Sequence, residues 1–592
     1  MGLWYSCPMT NPAVEQLITR SHRLGADPRT TNYGGGNTSA KGTAADPATG
    51  QPIELLWVKG SGGDLGTLAP AGLAVLRLDR MRALTDVYPG VEREDEMVAA
   101  FDYCLHGKGG AAPSIDTTMH GLVDAPHVDH LHPDAGLALA TAADGEELTR
   151  RIFGDKVRWV PWRRPGFQLG LDLAAIANDD PDVVGCILGG HGITAWGATS
   201  QECEANSMWI INTAADYIAA HGAAEPFGAL RDGFTALPDA ERRARALALA
   251  PTLRAIASQD RRMVGHFTDT DAVLDFLASE KAPALAELGT SCPDHFLRTK
   301  VKPMLLDLPP SAPIDQTIER LHELHVAYRA DYAGYYERNA DADSPAIRGA
   351  DPLIILIPGV GMFSYGVNKQ TARVAGAFYT NTINVMRGAE ALSTYAPVPE
   401  REKFRIEYWA LEEAKLQRLP KPKPLAARVA LITGGASEAG TAIAERFAAE
   451  GACVVLADPD AAAARAAAAR LGGTDVAIGV GCDATSSEQL QVAVDAAVLG
   501  FGGLDVLVNA GGEGLEPGGA TAVFIGQGLG GAIVRVGVRE SAPPADDLAQ
   551  YGIRVNEIGV SPAAPAEHVA GVAFALCTAD LAHTTGARIP VV

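Results

Sequence analysis

The chain has 592 residues, of which 47% are hydrophobic, and its 49 Lys and Arg against 71 Asp and Glu give a formal net charge of −22. This length predicts two to four folding units, and the hydrophobic content is sufficient for globular cores. The acidic balance argues against nucleic acid or an anionic membrane as the main partner, because either would require a basic face. A phosphorylated small molecule remains compatible with it, since a local amide-lined pocket is enough to bind one.

The cysteines indicate a reducing compartment. No two of them show the Cys-x-x-Cys spacing of a redox or metal site, so we expect reduced thiols and a cytoplasmic protein. No apolar run reaches membrane-spanning length, and the first residues lack the charged head and long apolar core of a signal peptide. The eight cysteines are Cys7, Cys104, Cys186, Cys203, Cys292, Cys453, Cys482 and Cys577.

The first chemical signal along the chain is a glycine loop. Apolar spacing predicts a helix over residues 11–24, and the segment TTNYGGGNTSAK follows it. Three consecutive glycines let backbone N–H groups close around an anion, and Asn37 with its two hydroxyl-bearing neighbours adds side-chain donors. A flexible turn is the alternative interpretation of the same residues.

The next segment leads to a candidate acid or base. Residues 73–107 contain helical spacing, including REDEMVAAFDYCLHG, and act as scaffold. The Pro-Ser pair at Pro113 predicts a turn from which Asp116 projects.

A His-x-His pair follows within HVDHLHPDA. If this segment is a strand, the side chains of His130 and His132 project from the same face and reach one ion. His191, after the apolar run of residues 183–188 and between glycines, is the best third donor. Three nitrogen ligands without a cysteine describe an open, catalytic metal site. His120 and His127 are more typical of ordinary hydrogen-bonded side chains.

The region after residue 197 is predicted to be rich in helices. Within LGTSCPDHFLRTKVKPM, adjacent Asp294 and His295 point apart in either a helix or a strand, which argues against a second metal set with Cys292. Residues 351–366 predict a buried strand that runs into a glycine-rich loop and then a helix. That loop lacks the spacing of a nucleotide-binding site.

These motifs resemble the class II (zinc-dependent) aldolase/adducin family, whose pattern is Pro-Ser-x-acid, a His-x-His strand and a later His-Gly. The segments PSIDT, HVDHLHPDA, GTSCPDHFLRTK and EYWALEEAKL are similar to its long fused members, the bifunctional rhamnulose-1-phosphate aldolase/short-chain dehydrogenases. The resemblance covers nearly all of the first 420 residues. It implies an α/β/α aldolase domain with a helix-rich elaboration, over residues 1–416.

The resemblance also implies roles for individual residues. His130, His132 and His191 would bind Zn²⁺ or another divalent metal, and Asp116 would be the catalytic acid/base, where the small members of the family commonly have Glu. The substrate phosphate would be bound by Asn37, Ser61, Gly62 and Ser114. Lys59 adds positive charge there or is solvated. A proton-donating tyrosine stays open among Tyr365, Tyr379 and others.

A second domain begins after a Pro/Lys linker at residues 417–427 and spans residues 428–592. The strand RVALIT, the loop GGASEAG, a helix and a second strand that ends at Asp458 follow the order of a dinucleotide-binding unit. Together with GCDATS and LDVLVNAGG they resemble the short-chain dehydrogenases. The nucleotide positions implied are Gly434, Gly440, Asp458, Asp483 and Asn509.

This second domain departs from the family in three ways. Glu438 replaces the middle glycine of the loop, where its carboxylate would repel a pyrophosphate. The catalytic Tyr-x-x-x-Lys is absent, since no lysine follows Lys423, and Gly537 and Val538 stand where a serine is expected. The helical segments around that last strand look deleted. We therefore predict a truncated, Rossmann-like domain that is degenerate and inactive, with NAD(P) binding in doubt.

The resemblance implies an aldolase that cleaves a ketose 1-phosphate, L-rhamnulose 1-phosphate in the family, to dihydroxyacetone phosphate and L-lactaldehyde. The alternatives are a sugar-phosphate epimerase or dehydratase of the same fold, a bifunctional aldolase and NAD-dependent lactaldehyde dehydrogenase, and a non-catalytic adducin-like protein. We expect a phosphorylated sugar as substrate and a homo-oligomer.

Overall fold

A computed structural model describes residues 11–107, 110–290, 292–417, 420–511, 518–537 and 546–592. These residues form two compact units. The first comprises the described parts of Met1–Ala229, Glu287–Leu297 and Ala377–Ala414, and the second comprises those of Leu230–Ala286, Arg298–Gly376 and Lys415–Val592.

The first unit is built on a seven-stranded, mostly antiparallel sheet. Its strand order is β3-β2-β1-β4-β7-β6-β5, and only β5 and β6 pair in parallel. The elements of residues 11–229 are α1 (Pro12–Ala26), β1 (Asn37–Ala45), β2 (Pro52–Lys59), β3 (Leu73–Arg77), α2 (Leu78–Ala83), α3 (Glu96–Ala100), α4 (Thr117–Leu122), β4 (His127–Leu131), α5 (Asp134–Ala140), α6 (Gly145–Phe153), β5 (Val157–Val160), α7 (Phe167–Asp179), β6 (Gly185–Leu188), β7 (Gly192–Gly197) and α8 (Ser200–His221).

The predicted helix and strands that frame the site are confirmed. Helix α1 begins after Asn11, whose side chain accepts a hydrogen bond from the N–H of Ala13 and so caps the helix. Strand β4 ends one residue before His132, and β6 lies within the predicted apolar run. Residues 73–107 differ from the prediction, because a strand, two short helices and 3₁₀ turns replace the long helical scaffold.

Residues 230–417 contribute a second, four-stranded sheet of order β8-β11-β10-β9. Residues 351–366 form two strands joined by a tight turn, so the predicted glycine-rich loop is a hairpin. The elements are α9 (Asp239–Ile256), β8 (Val264–Thr268), α10 (Asp271–Ala278), α11 (Ala282–Leu288), α12 (Pro293–Thr299), β9 (Met304–Leu305), α13 (Ile314–Asn339), β10 (Ile354–Ile357), β11 (Gly361–Gly366), α14 (Lys369–Leu392), α15 (Glu400–Glu407) and α16 (Ala410–Gln417).

This second sheet repeats the half of the first sheet that carries the histidines. In both, an outer strand pairs antiparallel with the later strand of a hairpin, and the earlier hairpin strand pairs in parallel with a fourth strand. Both hairpins turn through three residues, at 189–191 and 358–360, and each turn has its middle glycine at positive φ, +66° at Gly190 and +72° at Gly359. A helix follows each hairpin after two residues, as α8 and α14.

The remaining residues form a parallel, seven-stranded sheet of order β14-β13-β12-β15-β16-β17-β18, which is the topology of a Rossmann-like fold. The predicted α/β class is confirmed in both parts of the chain. The elements are β12 (Val429–Thr433), α17 (Glu438–Ala449), β13 (Cys453–Asp458), α18 (Ala461–Arg470), β14 (Ala477–Gly481), α19 (Ser487–Phe501), β15 (Val506–Asn509), α20 (Gly518–Gln527), β16 (Gly531–Gly537), β17 (Ile553–Val560), α21 (Ala566–Cys577) and β18 (Arg588–Val591).

The segments before and after β16 are where the sequence predicted deletions in this domain. Helix α20, of 10 residues, precedes β16, so that helix is present although the sequence predicted a deletion there. Between β16 and β17 the described residues hold a 3₁₀ helix, Asp546–Tyr551. Gly537 is the last residue of β16, and Val538 lies outside the described residues.

The second unit is held together by one continuous apolar core. It runs from α9 and the second sheet into β12, α19 and α20 of the Rossmann-like sheet, and includes Leu253, Phe363, Val429 and Phe501. Arg254 and Asp505 are both fully buried at this junction and form an ion pair of 2.6 Å. Removing one partner of such a pair costs about 3–5 kcal/mol, because the other charge is left buried.

Among the described residues, no helix is both long enough and apolar enough to cross a membrane.

Candidate metal and phosphate site

The three predicted histidines come together at one point of the first sheet. His130 lies in β4 opposite Thr194 of β7, His132 follows the end of β4, and His191 closes the turn between β6 and β7. The Nε2 atom of His130 is 3.0 Å from that of His132 and 3.2 Å from that of His191. All three side chains are buried. Gly190 makes this turn possible, because a Cβ there would lie 2.3 Å from Val398.

The partners of the other ring nitrogens indicate where the lone pairs point. The Nδ1 of His130 is 2.9 Å from the carbonyl oxygen of Ile193, which only accepts, so Nδ1–H donates and Nε2 carries the lone pair. The Nδ1 of His132 is in ion-pair contact with a carboxylate oxygen of Asp294, at 2.6 Å, and because that oxygen only accepts, the contact favours a proton on Nδ1. Nitrogen lone pairs that face one another at about 3 Å repel unless a cation or a proton lies between them. This donor set fits a divalent metal ion.

The charges of the metal-free cluster follow from burial and from one carboxylate. Burial lowers the pKa of His191 to about 3 and the pKa of His130 well below its usual value, and the neighbouring histidines add to the second effect. Burial alone would lower the pKa of His132, but Cys292 and Asp294 raise it well above its usual value. Burial raises the pKa of the Cys292 thiol, whereas His132 holds the pKa of Asp294 below its usual value against the opposing effect of burial.

Sequence reasoning missed Asp294 and Cys292. Asp294 binds His132, while the adjacent His295 turns away and lies 2.5 Å from Thr290 and 3.0 Å from Thr382. The two side chains point apart, as predicted, but the argument against a second metal set did not anticipate that Asp294 and Cys292 group with His132. Cys292 is 160 residues from His132 in the sequence, so no local pattern linked Cys292 and Asp294 to the His-x-His pair.

Asp116 lies at the start of α4 and is half-buried. Its Oδ2 accepts a hydrogen bond of 3.1 Å from the hydroxyl of Ser114, whose Oγ in turn accepts one of 3.3 Å from the N–H of Asp116. This reciprocal pair fixes the carboxylate and its serine as a unit. Ser114 is therefore occupied with Asp116 as well as being a candidate phosphate donor.

The glycine loop adjoins the histidines through β1. Asn37, the first residue of β1, pairs with His130, and its buried Oδ1 has no hydrogen-bond partner among the described residues. Gly34 and Gly36 both adopt positive φ, +71° and +70°, which a residue with a side chain rarely adopts. A Cβ at Gly36 would lie 2.4 Å from the carbonyl oxygen of His130. The loop thus needs its glycines, and it presents an unpaired amide beside the candidate metal ligands.

Ser61 and Gly62 lie in the exposed turn after β2, next to the other two loops. The N–H of Ser61 donates to the carbonyl of Ala112, two residues before Ser114, at 3.2 Å. Gly62 has a φ of +85°, and its carbonyl faces Gly34. The structure therefore brings the four predicted phosphate residues into three adjoining loops.

Lys59 is buried, with 1% of its surface exposed, so the alternative that it is solvated is wrong. Its ammonium donates a hydrogen bond of 3.0 Å to the carbonyl of Gly36. Burial lowers its pKa, and the negative charges of Asp294, Asp116 and Asp64 oppose that effect. Lys59 therefore places a positive charge against the glycine loop, within the influence of these three carboxylates.

His120 and His127 lie outside the cluster, as predicted. His127 and Asp129 occupy the opposite face of β4, where Arg20 is fully buried and bonds to both, at 3.2 Å and 3.0 Å. His120 bonds to the hydroxyl of Ser39 at 2.8 Å. These contacts hold β4 against its neighbours and leave its other face to the metal ligands.

The candidate tyrosines are both buried. Tyr365 is part of the apolar core of the second unit, and Tyr379 lies inside α14 with 1% of its surface exposed. Neither position selects a proton donor.

In the Rossmann-like half, the predicted nucleotide residues lie at the ends of strands or in the segments that follow them. Gly434 has a φ of +63° after β12, and a Cβ at Gly440 would lie 2.1 Å from the carbonyl of Gly434, so the tight turn depends on glycine. Asn509 ends β15 and accepts a hydrogen bond of 3.0 Å from Thr433. Asp483 is exposed and binds the backbone N–H and the hydroxyl of Thr485.

Two carboxylates lie in this region. The carboxylate of Asp458, placed for a ribose, accepts hydrogen bonds from the backbone N–H groups of Ala436 and Asp460, both at 3.0 Å. Glu438 is the exposed first residue of α17, the helix end where a pyrophosphate binds in dinucleotide folds. The carboxylate of Asp458 thus already accepts two backbone hydrogen bonds. The carboxylate of Glu438 lies at the helix end where dinucleotide folds bind a phosphate.

Three family models match the chain. The class II aldolase and adducin N-terminal domain matches residues 15–218, the second domain of class II aldolases matches residues 244–416, and the short chain dehydrogenase model matches residues 428–522.

Curated relatives match as well. The uncharacterized oxidoreductase YuxG of Bacillus subtilis is 37% identical over 506 residues, which cover 84% of this chain and 72% of YuxG. The uncharacterized oxidoreductase Mb1385 of Mycobacterium bovis is 54% identical over 85 residues, which cover 14% of this chain and 34% of Mb1385. A solved N-terminal class II aldolase domain of a conserved protein from Thermoplasma acidophilum is 27% identical, covers 37% of this chain and 99% of that chain, and has a TM-score of 0.32.

Proposed function

We propose that this chain, which belongs to the class II aldolase family in the form fused to a short-chain dehydrogenase domain, cleaves a ketose 1-phosphate by metal-dependent aldol chemistry. The substrate in this proposal is L-rhamnulose 1-phosphate, and the products are dihydroxyacetone phosphate and L-lactaldehyde. The observation that carries the proposal is the convergence of three buried imidazole nitrogens next to an unpaired amide and a glycine loop.

The Nε2 atoms of His130, His132 and His191 would hold the ion. A divalent metal, zinc in this proposal, supplies Lewis acidity for the negative charge that develops on substrate oxygen when a carbon–carbon bond breaks. The Nδ1 of His130 donates to the carbonyl of Ile193, and the Nδ1 of His132 lies against the carboxylate of Asp294, so both contacts favour the tautomer that leaves Nε2 for a metal.

The phosphate of the substrate is assigned to the three adjoining loops. Backbone N–H groups of the glycine loop, the Asn37 side chain and the Ser61 turn surround this region, and the ammonium of Lys59 offsets the negative charge. Binding the phosphate away from the reacting carbon uses binding energy to orient that carbon.

Asp116 is assigned to the proton transfer. The carbon that loses its bond to the aldehyde fragment must gain a proton, and a carboxyl group held by Ser114 at the start of a helix is positioned to deliver it. Aspartate is one methylene shorter than the glutamate common in the small family members. The reciprocal contact with Ser114 fixes where this shorter side chain ends.

We propose further that the Rossmann-like half does not transfer hydride. The tail after Lys423 contains no lysine, so the Tyr-x-x-x-Lys acid of short-chain dehydrogenases has no counterpart in it. Glu438 and the backbone-bonded Asp458 disfavour the cofactor itself. The name of YuxG supports the second candidate, a bifunctional enzyme that also oxidises the aldehyde.

One assay separates these functions. Purified protein with Zn²⁺ and L-rhamnulose 1-phosphate is coupled to glycerol-3-phosphate dehydrogenase to measure dihydroxyacetone phosphate, and a parallel reaction with NAD and no coupling enzyme measures NADH. We expect cleavage and no NADH. Conversion of substrate without dihydroxyacetone phosphate would favour the epimerase or dehydratase, and NADH formation would establish the bifunctional enzyme.

The predictions of a cytoplasmic location, a phosphorylated sugar partner and a homo-oligomer remain predictions, as do the domain boundaries at residues 416 and 428.

A further inference from the structure

The two sheets of the aldolase part carry different residues at equivalent positions. In the first sheet His130 pairs with Thr194, and in the second Phe267 pairs with Phe363. Since the two hairpins match residue for residue, Phe267 occupies the position of His130.

The other two metal positions follow from the same register. The residue after the outer strand is His132 in the first sheet and Asp269 in the second, and the last residue of the hairpin turn is His191 in the first and Val360 in the second. Val360 is fully buried in the apolar core, and Asp269 forms an ion pair of 2.9 Å with Arg242. The second repeat has therefore kept the backbone of a metal site without its ligands.

A segment of this second repeat nevertheless contributes to the first site. Residues 287–297, which lie between β8 and β9 in the chain, pack with the first unit. Helix α12 begins at Pro293, and the next residue, Asp294, places its Oδ2 2.6 Å from the Nδ1 of His132. A Cβ at Gly35 would lie 2.6 Å from the same oxygen, so the glycine loop leaves room for this carboxylate.

The position of Asp294 distinguishes a supporting group from a ligand. Among the described residues, both groupings of three possible ligand atoms include His132, one with His130 and His191 and one with Cys292 and Asp294. The first uses the Nε2 of His132 and the second its Nδ1. A neutral imidazole that donates Nδ1–H to a carboxylate has its lone pair on Nε2, which favours the first grouping as the metal site.

We propose that Asp294 is a positioning residue that holds His132 in the tautomer and orientation that bind the metal, and that the second repeat, without a ligand triad of its own, supplies it. This inference rests on the proposed metal site. It predicts one metal ion per chain, with residues 11–229 alone lacking the group that orients His132.

The experiment compares the full-length chain with two alanine variants. Zn²⁺ affinity is measured by competition with a chromophoric chelator, and the number of ions per chain by elemental analysis. Asp294→Ala removes the acceptor. Asp269→Ala makes the same change at the position of the second repeat that is equivalent to His132. Asp294→Asn, which keeps an acceptor but loses the charge, is the conservative variant.

We expect wild type to bind one Zn²⁺, Asp294→Ala to bind it about 10–100-fold more weakly, Asp294→Asn to lie between, and Asp269→Ala to match wild type. The visible spectrum of bound Co²⁺ should change in Asp294→Ala and not in Asp269→Ala, because only the first alters the geometry of a ligand. Metal-free thermal unfolding of each variant shows whether a weaker affinity comes from a loss of folding.

The outcomes are separable. A wild-type chain that binds no Zn²⁺ contradicts the proposed function itself. If wild type binds one ion and Asp294→Ala binds it equally well, the proposed function stands and the positioning role is wrong. Two ions in wild type, one of which is lost in Asp294→Ala, would make Asp294 a direct ligand of a second ion and would also overturn the inference.

Discussion

The two repeats of the aldolase part show how separable a fold is from its chemistry. Both build the same hairpin, with the same turn of three residues and a glycine at positive φ in its middle. One turn ends in His191 and the other in Val360, and only the first repeat brings imidazoles together. Both repeats share the same strand pairing and the same glycine in the turn. Three side-chain differences are therefore enough to separate a candidate metal site from a packed core.

The surroundings of the two repeats differ as well. The first sheet continues past the outer strand into β1, β2 and β3, which provide Asn37 and Lys59, whereas the outer strand of the second sheet has no further partner strand among the described residues. The proposed phosphate site therefore lies in the sheet that is extended by these strands.

His191→Val copies the residue of the second repeat into the first. We expect loss of bound metal and a fall in kcat/KM of about 1,000-fold or more, because the several kcal/mol supplied by metal catalysis are lost with the ligand. Elemental analysis and the dihydroxyacetone phosphate assay measure both. His221→Val, an exposed change at the end of α8, is the control, and an active, metal-loaded His191→Val would remove the distinction between the repeats.

Asp116→Asn removes the acid/base while it retains the shape of the side chain and its contact with Ser114. A loss of kcat of about 100-fold or more is expected with metal content unchanged, because general acid–base catalysis contributes on that scale. Single-turnover rates and elemental analysis provide the two measurements. The exposed Asp102→Asn serves as control, and normal turnover in Asp116→Asn would shift the proton-transfer role elsewhere.

Asn37→Ala tests the proposed phosphate role of a residue on β1, a strand that extends only the first sheet among the described residues. The side-chain NH₂ of Asn37 can donate to a phosphate oxygen, and a hydrogen bond to a charged group contributes about 1.5–3 kcal/mol, so kcat/KM should fall roughly 10–100-fold for the phosphorylated ketose. The effect should vanish for the unphosphorylated sugar. Thr43→Ala, exposed on the same strand, should change neither substrate.

Glu438→Gly introduces the middle glycine of the nucleotide loop and tests the proposal that Glu438 lowers the affinity of the Rossmann-like half for NAD. Removing a carboxylate from the helix end should tighten NAD binding about tenfold, with still no NADH formed. Calorimetric titration of wild type, Glu438→Gln and Glu438→Gly separates charge from size. Equal affinities in all three would show that Glu438 is not what weakens the site.

His120→Asn tests a buried histidine that is not a ligand. Burial, with Lys41 and Arg20 nearby, lowers the pKa of His120 to about 3. The unfolded chain binds this proton below about pH 6.5 and the folded chain does not, so stability is complete above that pH and falls as the pH drops towards 3.

The slope from His120 is at most about 1.4 kcal/mol per pH unit for one proton. Wild type should therefore lose more melting temperature than His120→Asn between pH 6.5 and pH 4.5, as followed by circular dichroism. His221→Asn should behave like wild type, and parallel pH profiles for His120→Asn and wild type would contradict a depressed pKa.

Local patterns were sufficient to predict the candidate metal site. His130 and His132 are two apart on a strand, so their common face follows from strand geometry alone, and the glycines around His191 predict the turn. The same holds for β12, α17 and β13 of the Rossmann-like half, where apolar strands and a capped helix alternate.

Other features depend on tertiary contacts and were not predictable in this way. The proximity of Asp294 to His132 arises from the packing of α12 against the first unit, and the burial of Lys59 depends on the glycine loop that accepts its hydrogen bond. The structural repeat could not be detected in the sequence, because it is visible only in the strand pairing. Val360 and Phe267 occupy the positions that correspond to His191 and His130, so no histidine motif recurs there. The use of Asp458 by backbone donors depends on the conformation of the loop at Ala436.

Anomalous diffraction at the zinc absorption edge, from crystals of the full chain, tests the three-histidine metal site most directly. We expect one strong peak per chain, bounded by the Nε2 atoms of His130, His132 and His191. The absence of a peak there, or a peak on the Nδ1 side of His132 between Cys292 and Asp294, would contradict it.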